Sequence, residues 1–246
     1  MKRQFLMAMA AVMVCCTSCV RMSMGEFSKL EPSDNIVKKE YKMKAFDKLD
    51  IDMVAKVKFV QSAEGDYRVL LRCPDNYVDL FEFKVDDDEL EVGFAENIHE
   101  SIEVKDVAII VCSPTLSKLD SEGVGMIVID SLKTPSLNID SEGVGSVTVR
   151  GLTTETLKVE SDGIGNIEVA GIAKKASLKC SGVGNINAGG LTAAEVKAEV
   201  NGVGSISCFA SERLKGSVNG VGSLKYGGHP AQKQLQRNGV GSITEL

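Results

Sequence analysis

Tryptophan is absent from this chain of 246 residues, and histidine occurs twice. There are 5 Pro, 4 Tyr and 8 Phe against 24 Gly. So much glycine with so few aromatics argues against an antibody-like sandwich around a Trp, and against a sugar groove paved with Trp platforms. Two histidines leave little room for a histidine-based metal or acid–base site. Lys and Arg number 28 against 34 Asp and Glu, a formal net charge of −6. That sign argues against a nucleic-acid partner held by phosphate contacts. A Ser/His/Asp order, HExxH, a P-loop and GxGxxG are all missing. The leading apolar run, Phe5 to Val14, is about ten residues, too short to span a bilayer. Charged residues at 25% and apolar residues at 43% are ordinary globular values, which excludes disorder throughout. The length allows one or two domains.

The N-terminus reads as a targeting segment. Lys2 and Arg3 precede the apolar run, and Cys15-Cys16-Thr17-Ser18-Cys19 follows it. Small residues directly before a cysteine resemble a bacterial lipoprotein signal, cleaved before Cys19 and lipidated on it. Cys16 stands where Leu is usual. The other reading is an ordinary secretory signal with incidental cysteines. Residues 1–18 are thus assigned to the signal and 19–44 to a lipidated tether. Loss of Lys2 and Arg3 takes the net charge from −6 to −8, so lipid and not a basic patch must hold the protein to the membrane. The expected location is the outer membrane of the cell envelope. Val20-Arg21-Met22-Ser23 carries no acidic export signal, so the leaflet stays open.

Cys73, Cys112, Cys180 and Cys208 remain. Four cysteines allow three pairings, and their spacing holds no CxxC of a zinc site. Cys180 and Cys208 fall in different columns of the repeat described next, so the favoured reading is buried free thiols.

What is abundant is a repeat. A Gly–Val/Ile–Gly triplet begins at Gly123, Gly143, Gly163, Gly182, Gly202, Gly220 and Gly239, and closes at Gly125, Gly145, Gly165, Gly184, Gly204, Gly222 and Gly241. The intervals are 20, 20, 19, 20, 18 and 19 residues. Four residues before the first Gly stand Leu119, Ile139, Val159, Leu178, Ala198, Gly216 and Leu235. Four after it stand Ile127, Val147, Ile167, Ile186, Ile206, Leu224 and Ile243, and six after it come Ile129, Val149, Val169, Ala188, Cys208, Tyr226 and Glu245. Leu132, Leu152, Ile172 and Leu191 supply a third apolar position nine after it. Alternation on both sides of the triplet predicts a strand, a corner and another strand. A unit of about 20 residues cannot bury its own apolar face, whereas stacked units can, which predicts a solenoid with layers about 4.8 Å apart. The recurring glycine predicts a corner needing positive φ, or a close approach of successive layers without a Cβ.

The first half also alternates. Leu49, Ile51 and Met53, then Val57 and Phe59, share one parity. Phe81, Phe83 and Val85 lead through Asp86-Asp87-Asp88 to Leu90, Val92 and Phe94, as in a hairpin with an acidic tip. The fold is therefore all-β, one domain over 45–246. Residues 45–118 are irregular first strands that form early layers or cap the end, and 119–246 hold seven regular repeats.

Ser-Glu-Gly-Val-Gly and its variants Gly163-Ile164-Gly165-Asn166-Ile167 and Gly182-Val183-Gly184-Asn185-Ile186, with the opening Phe46-Asp47-Lys48-Leu49-Asp50-Ile51 and the segment Leu80 to Phe94, resemble the auto-transporter adhesin head domain of GIN type. The resemblance covers roughly 45–246. It implies a right-handed parallel β-helix, of a kind found in lipoproteins and small exported proteins of Bacteroides-like bacteria, and it carries no catalytic residues.

The sharpest constellation of side chains is acidic. Asp120, Asp140 and Glu160 stand three before their glycines, and Glu122, Glu142 and Asp162 stand one before. Stacking makes them a two-by-three outward patch, where like charges about 5 Å apart cost on the order of 1 kcal/mol per pair in water. It reads as a solvated face, with weak Ca²⁺ binding or a partner surface as the alternatives. Asn201, Asn219 and Asn238 read as a hydrogen-bonded ladder, and Asp86-Asp87-Asp88 as a polar tip. His99 and His229 have no partners at motif spacing. Lys233, Arg237 and Glu245 stand at positions that are apolar or small in earlier repeats, as in a polar end cap. No metal or other cofactor is implied. The expected function is a non-enzymatic envelope lipoprotein that binds or displays, facing a polysaccharide or an envelope or host protein. The alternatives are a carbohydrate-active β-helix enzyme or a structural envelope scaffold.

Overall fold

The computed structural model describes residues 29–95 and 101–246. Lys29–Leu30 and Ser101–Ile102 form a short parallel ladder of their own. The remaining described residues form one unit, a β-solenoid of about six turns. Each turn has an entry side before the Gly corner, an exit side after it, and a return side.

The register shows the columns that alternation predicts. On the entry side Leu119, Ile139, Val159, Leu178, Ala198, Gly216 and Leu235 pair in succession. On the exit side Ile127, Val147, Ile167, Ile186, Ile206, Leu224 and Ile243 do the same. All but those of the last layer are buried. The return side departs from the expected column at one place. Ile172 is 62% exposed, and Gly171 stands in its stead in the column of Leu152 and Leu191. The 19-residue interval removes one residue between the exit and return strands, so Leu152 pairs Gly171 and Thr153 pairs Ile172. A shift of one residue turns every side chain after it to the opposite face.

The corner glycines are there for space and not for φ. Among the described residues, positive φ at glycine occurs at Gly65, Gly151, Gly171 and Gly228, none of them in a triplet. A Cβ on Gly143 would instead lie 2.5 Å from the Glu122 carbonyl oxygen and 2.7 Å from its carbon, and closer still to the Gly123 oxygen. The layers are held at that separation by Gly143 N–H to Ser121 O and Val144 N–H to Gly123 O, each 3.0 Å.

The irregular first half both begins the solenoid and caps it. Lys48–Asp52 and Val54–Gln61 stack directly on Lys118–Ser121 and Val124–Ile129, with Met53 at the corner where Gly123 follows. The chain then leaves through Arg68–Pro74, a 3₁₀ turn at Asp75–Leu80, a hairpin of Phe81–Asp86 and Glu89–Phe94, and Ala108–Ser113. Glu89–Phe94 and Ala108–Ser113 lie parallel to the first layer as one further layer. Phe81–Asp86 and Arg68–Pro74 add outside it, antiparallel. Ile36–Lys42, within the stretch expected as tether, is a strand antiparallel to Arg68–Pro74. Its lysines are the charges that protect an edge strand from further pairing. At the hairpin tip Asp87 (φ 46) and Asp88 (φ 61) provide the two positive φ values of a type I′ turn.

At the other end, Glu245 accepts from Tyr226 Oη at 2.9 Å and Lys233 Nζ at 3.2 Å, and meets His229 Nδ1 at 2.9 Å. These contacts, His229 first, hold its carboxyl down to about 2. Arg237 donates to the Gly241 carbonyl at 3.1 Å. Charged groups thus occupy the columns that would otherwise invite another layer.

Candidate functional site

The entry strands carry the acidic columns on their outer face, and register sets them side by side. Asp120 pairs Asp140, and Asp140 pairs Glu160. With Glu122, Glu142 and Asp162 at the corner they line a recess of 240 Å³. The patch is not bare carboxylate. Lys118 pairs Asp120, Lys158 reaches Glu160 at 3.0 Å, and Lys179 reaches it at 3.7 Å. Asn138 donates to Asp140 at 2.7 Å. Each partner but Lys179 stands two residues earlier on the same strand, so period 2 places it on the same face. Lys158 holds the Glu160 carboxyl below its usual range, while burial pushes Asp140 up. Among the described residues, no group of three or more His, Cys, Asp or Glu has the geometry to hold a metal ion.

The structure extends the patch beyond the repeats. Asp50 pairs Asp120 on one side and Glu91 on the other. Asp52, Glu82 and Glu91 join Asp50 and Glu122 around a cleft of 670 Å³, with Lys84 on its wall and Val54, Val92, Phe94 and Val124 as its apolar lining. That volume falls within the range of small-molecule sites. Burial first, then the charges of Glu122, Asp120, Glu89 and Asp52, push the Asp50 carboxyl up to about 6. Its Oδ1 is buried without a hydrogen-bond partner. Sequence reading missed Asp50 and Asp52, although a signal was present. Lys48-Leu49-Asp50-Ile51-Asp52-Met53-Val54 runs in step with Lys118-Leu119-Asp120-Ser121-Glu122-Gly123-Val124. A Met at the corner concealed the match.

The exit side is different in kind. The middle residue of each triplet points outward, and with Val54 these form a column: Val124, Val144, Ile164, Val183, Val203, Val221 and Val240, from 41% exposed at Val54 to 76% at Val240. Beside it Asn185 donates to Asn166 at 2.9 Å and Ser205 to Asn185 at 2.6 Å. The expected asparagine ladder at the corner is present too, with Asn219 donating to Asn201 at 2.8 Å and Asn238 to Asn219 at 3.0 Å.

The other candidates fall away from the cleft. Cys73, Cys112, Cys180 and Cys208 are free and buried, and burial pushes the Cys208 thiol up to about 12, which makes it inert. His229 belongs to the end cap. Cys19 and His99 lie outside the described residues. No helix among the described residues is long and apolar enough to cross a membrane.

A solenoid of this repeat, capped by an irregular first half, defines a class. The family described as "putative auto-transporter adhesin, head GIN domain" matches residues 45–230, and the chain belongs to it. A crystal structure described as a putative adhesin from Bacteroides fragilis is 38% identical, with a TM-score of 0.85 over 88% of this chain and 100% of that one. A putative lipid binding protein from Parabacteroides distasonis is 21% identical (TM-score 0.71) over 89% and 100% of the two chains. A putative adhesin from the same organism is 19% identical (TM-score 0.69) over the same shares. These last two speak for the fold alone. No curated protein matches the chain.

Proposed function

We propose that this protein is a non-enzymatic binding module of the cell envelope, tethered to the outer membrane by lipid on Cys19, and that it engages its partner at the cleft beside the N-terminal cap. One observation carries the reading. The cleft joins five carboxylates, Asp50, Asp52, Glu82, Glu91 and Glu122, to an apolar wall of Val54, Phe94 and Val124. That combination suits a basic, partly apolar protein surface, since opposite charge steers the encounter and apolar burial holds it. Membership of the adhesin family supports binding over catalysis. The cleft lies at the end of the solenoid nearest Ile36–Lys42, so the partner is engaged close to the proposed tether.

The test is binding of the purified chain to a peptide array that varies in Lys, Arg and aromatic content, at 50 and 300 mM salt. The reading expects basic aromatic peptides to be retained, with affinity falling at high salt and in Asp52→Asn/Glu91→Gln. Retention indifferent to both salt and that double substitution refutes the site. Turnover of any glycan from an envelope panel, lost in Asp50→Asn, refutes the non-enzymatic reading.

A further inference from the structure

The exit side takes no part in the function proposed above, apart from Val54 and Val124 at the edge of the cleft. Yet it presents a continuous column of exposed aliphatic side chains. From the corner to the fifth residue beyond it, its outward positions carry the aliphatic column, then Ser, Asn and Thr with Met126 and Val128 in one layer, and its charges are Lys56, Lys58, Glu168 and Lys225. We propose that two copies of this chain pair face to face through this side, solenoid axes antiparallel, with aliphatic column on aliphatic column.

Area supports a second copy. Eight stacked corners at about 4.8 Å give a face about 34 Å long, and six strand residues make it about 20 Å wide. Each copy would bury about 700 Å², a total of about 1,400 Å², which lies within the range of stable interfaces. An exposed aliphatic column along the full length of the rod is as large as the largest patch on an ordinary monomer, and such patches mark contact surfaces.

Charge selects the orientation. A two-fold axis along the strand direction reverses the order of layers and preserves position along each strand. Ile164 then meets Val183, and Val144 meets Val203. Lys56 and Lys58 meet Ser242 and Thr244, Glu168 meets Asn187, and Lys225 meets Val128. No like charges face each other. A two-fold axis along the solenoid would instead lay each aliphatic column on the outer edge of the other copy's face and set Lys56 against Lys56 of the other copy. The entry side cannot serve the same purpose, because its outer columns are carboxylates and lysines already paired within the strand.

Sedimentation equilibrium of the purified chain carrying Cys19→Ser, from 1 to 200 µM, tests this with no acyl group to drive association. The proposal expects a dimer, and at least a hundredfold weaker association in Ile164→Lys. It also expects Val128→Asp to tighten the dimer by an ion pair with Lys225 of the other copy. Both substitutions lie outside the cleft, and an Ile164→Lys monomer keeps every cleft residue, so peptide binding measured on that monomer tests the cleft separately from the dimer. A chain that stays monomeric at 200 µM overturns the proposal. So does an Ile164→Lys dimer of undiminished strength, or weaker association in Val128→Asp with an unchanged melting temperature. Flotation with phosphatidylcholine vesicles that is lost in Ile164→Lys would make the column a lipid-facing surface and overturn it as well.

Discussion

Gly143→Ala distinguishes the two reasons for which a corner glycine can be required. Where φ is ordinary and space is free, Gly→Ala stabilises by about 0.4–1 kcal/mol, because the unfolded chain loses freedom. Gly143 has no positive φ, so on conformational grounds alone the substitution should help. The contacts say otherwise. Its Cβ would lie 2.5 Å from Glu122 O and 2.7 Å from Glu122 C, both backbone atoms that no rotamer change can move. Restoring ordinary contact requires the layers to part by about 1 Å, which stretches the 3.0 Å bonds from Gly143 N–H and Val144 N–H beyond hydrogen-bond range. Two broken bonds whose carbonyls are left unsatisfied, at about 1–3 kcal/mol each, give a loss of about 2–6 kcal/mol. For a domain of this size that lowers the melting temperature by about 4–24 °C. Gly93 is the control, with only Asp52 O at 3.9 Å from its Cβ position and no positive φ. Gly93→Ala should be neutral or slightly stabilising. Thermal unfolding followed by circular dichroism reads both. A Gly143→Ala protein that melts within 2 °C of the parent, or above it, refutes the packing argument.

The raised Asp50 carboxyl makes the folded state bind a proton that the unfolded chain has released between pH 3.8 and about 6. Stability from this group therefore falls as pH rises through that window, and Asp50→Asn should gain about 1–2 kcal/mol at pH 7 after allowance for solvent. Equal melting-temperature gains at pH 4 and pH 7 would show the shift to be absent. Asn219 both donates to Asn201 and accepts from Asn238, so Asn219→Ala should cost about 1–2 kcal/mol and Asn201→Ala about half of that in urea unfolding. Equal costs would contradict the ladder. Cys19→Ser should move the protein from the membrane to the soluble fraction of disrupted cells, and an unchanged distribution rules out the lipid anchor.

Much of this fold is legible from local pattern. Leu119, Ile139 and Val159 are inward because strand parity is a property of neighbouring residues, and their stacking follows once the triplet recurs at nearly constant spacing. The asparagine ladder and the Asp86-Asp87-Asp88 tip are readable for the same reason. The pairing of Lys118 with Asp120 and of Lys158 with Glu160 follows from the same local pattern, since residues two apart on a strand share a face.

Other features depend on which segments meet. Local pattern does not tell that Lys48–Gln61 forms the layer beneath Lys118–Ile129, because residues 62–117 intervene and loop closure cost varies only slowly with length. The cleft exists because of that return. Its carboxylates come from Asp50 and Asp52, Glu82 and Glu91, and Glu122, and the shift of Asp50 arises from burial and from charges that are remote in the chain. The role of the corner glycine is of the same kind. A glycine in a sequence permits either an unusual φ or a missing Cβ, and only the position of the neighbouring layer's carbonyl decides between them.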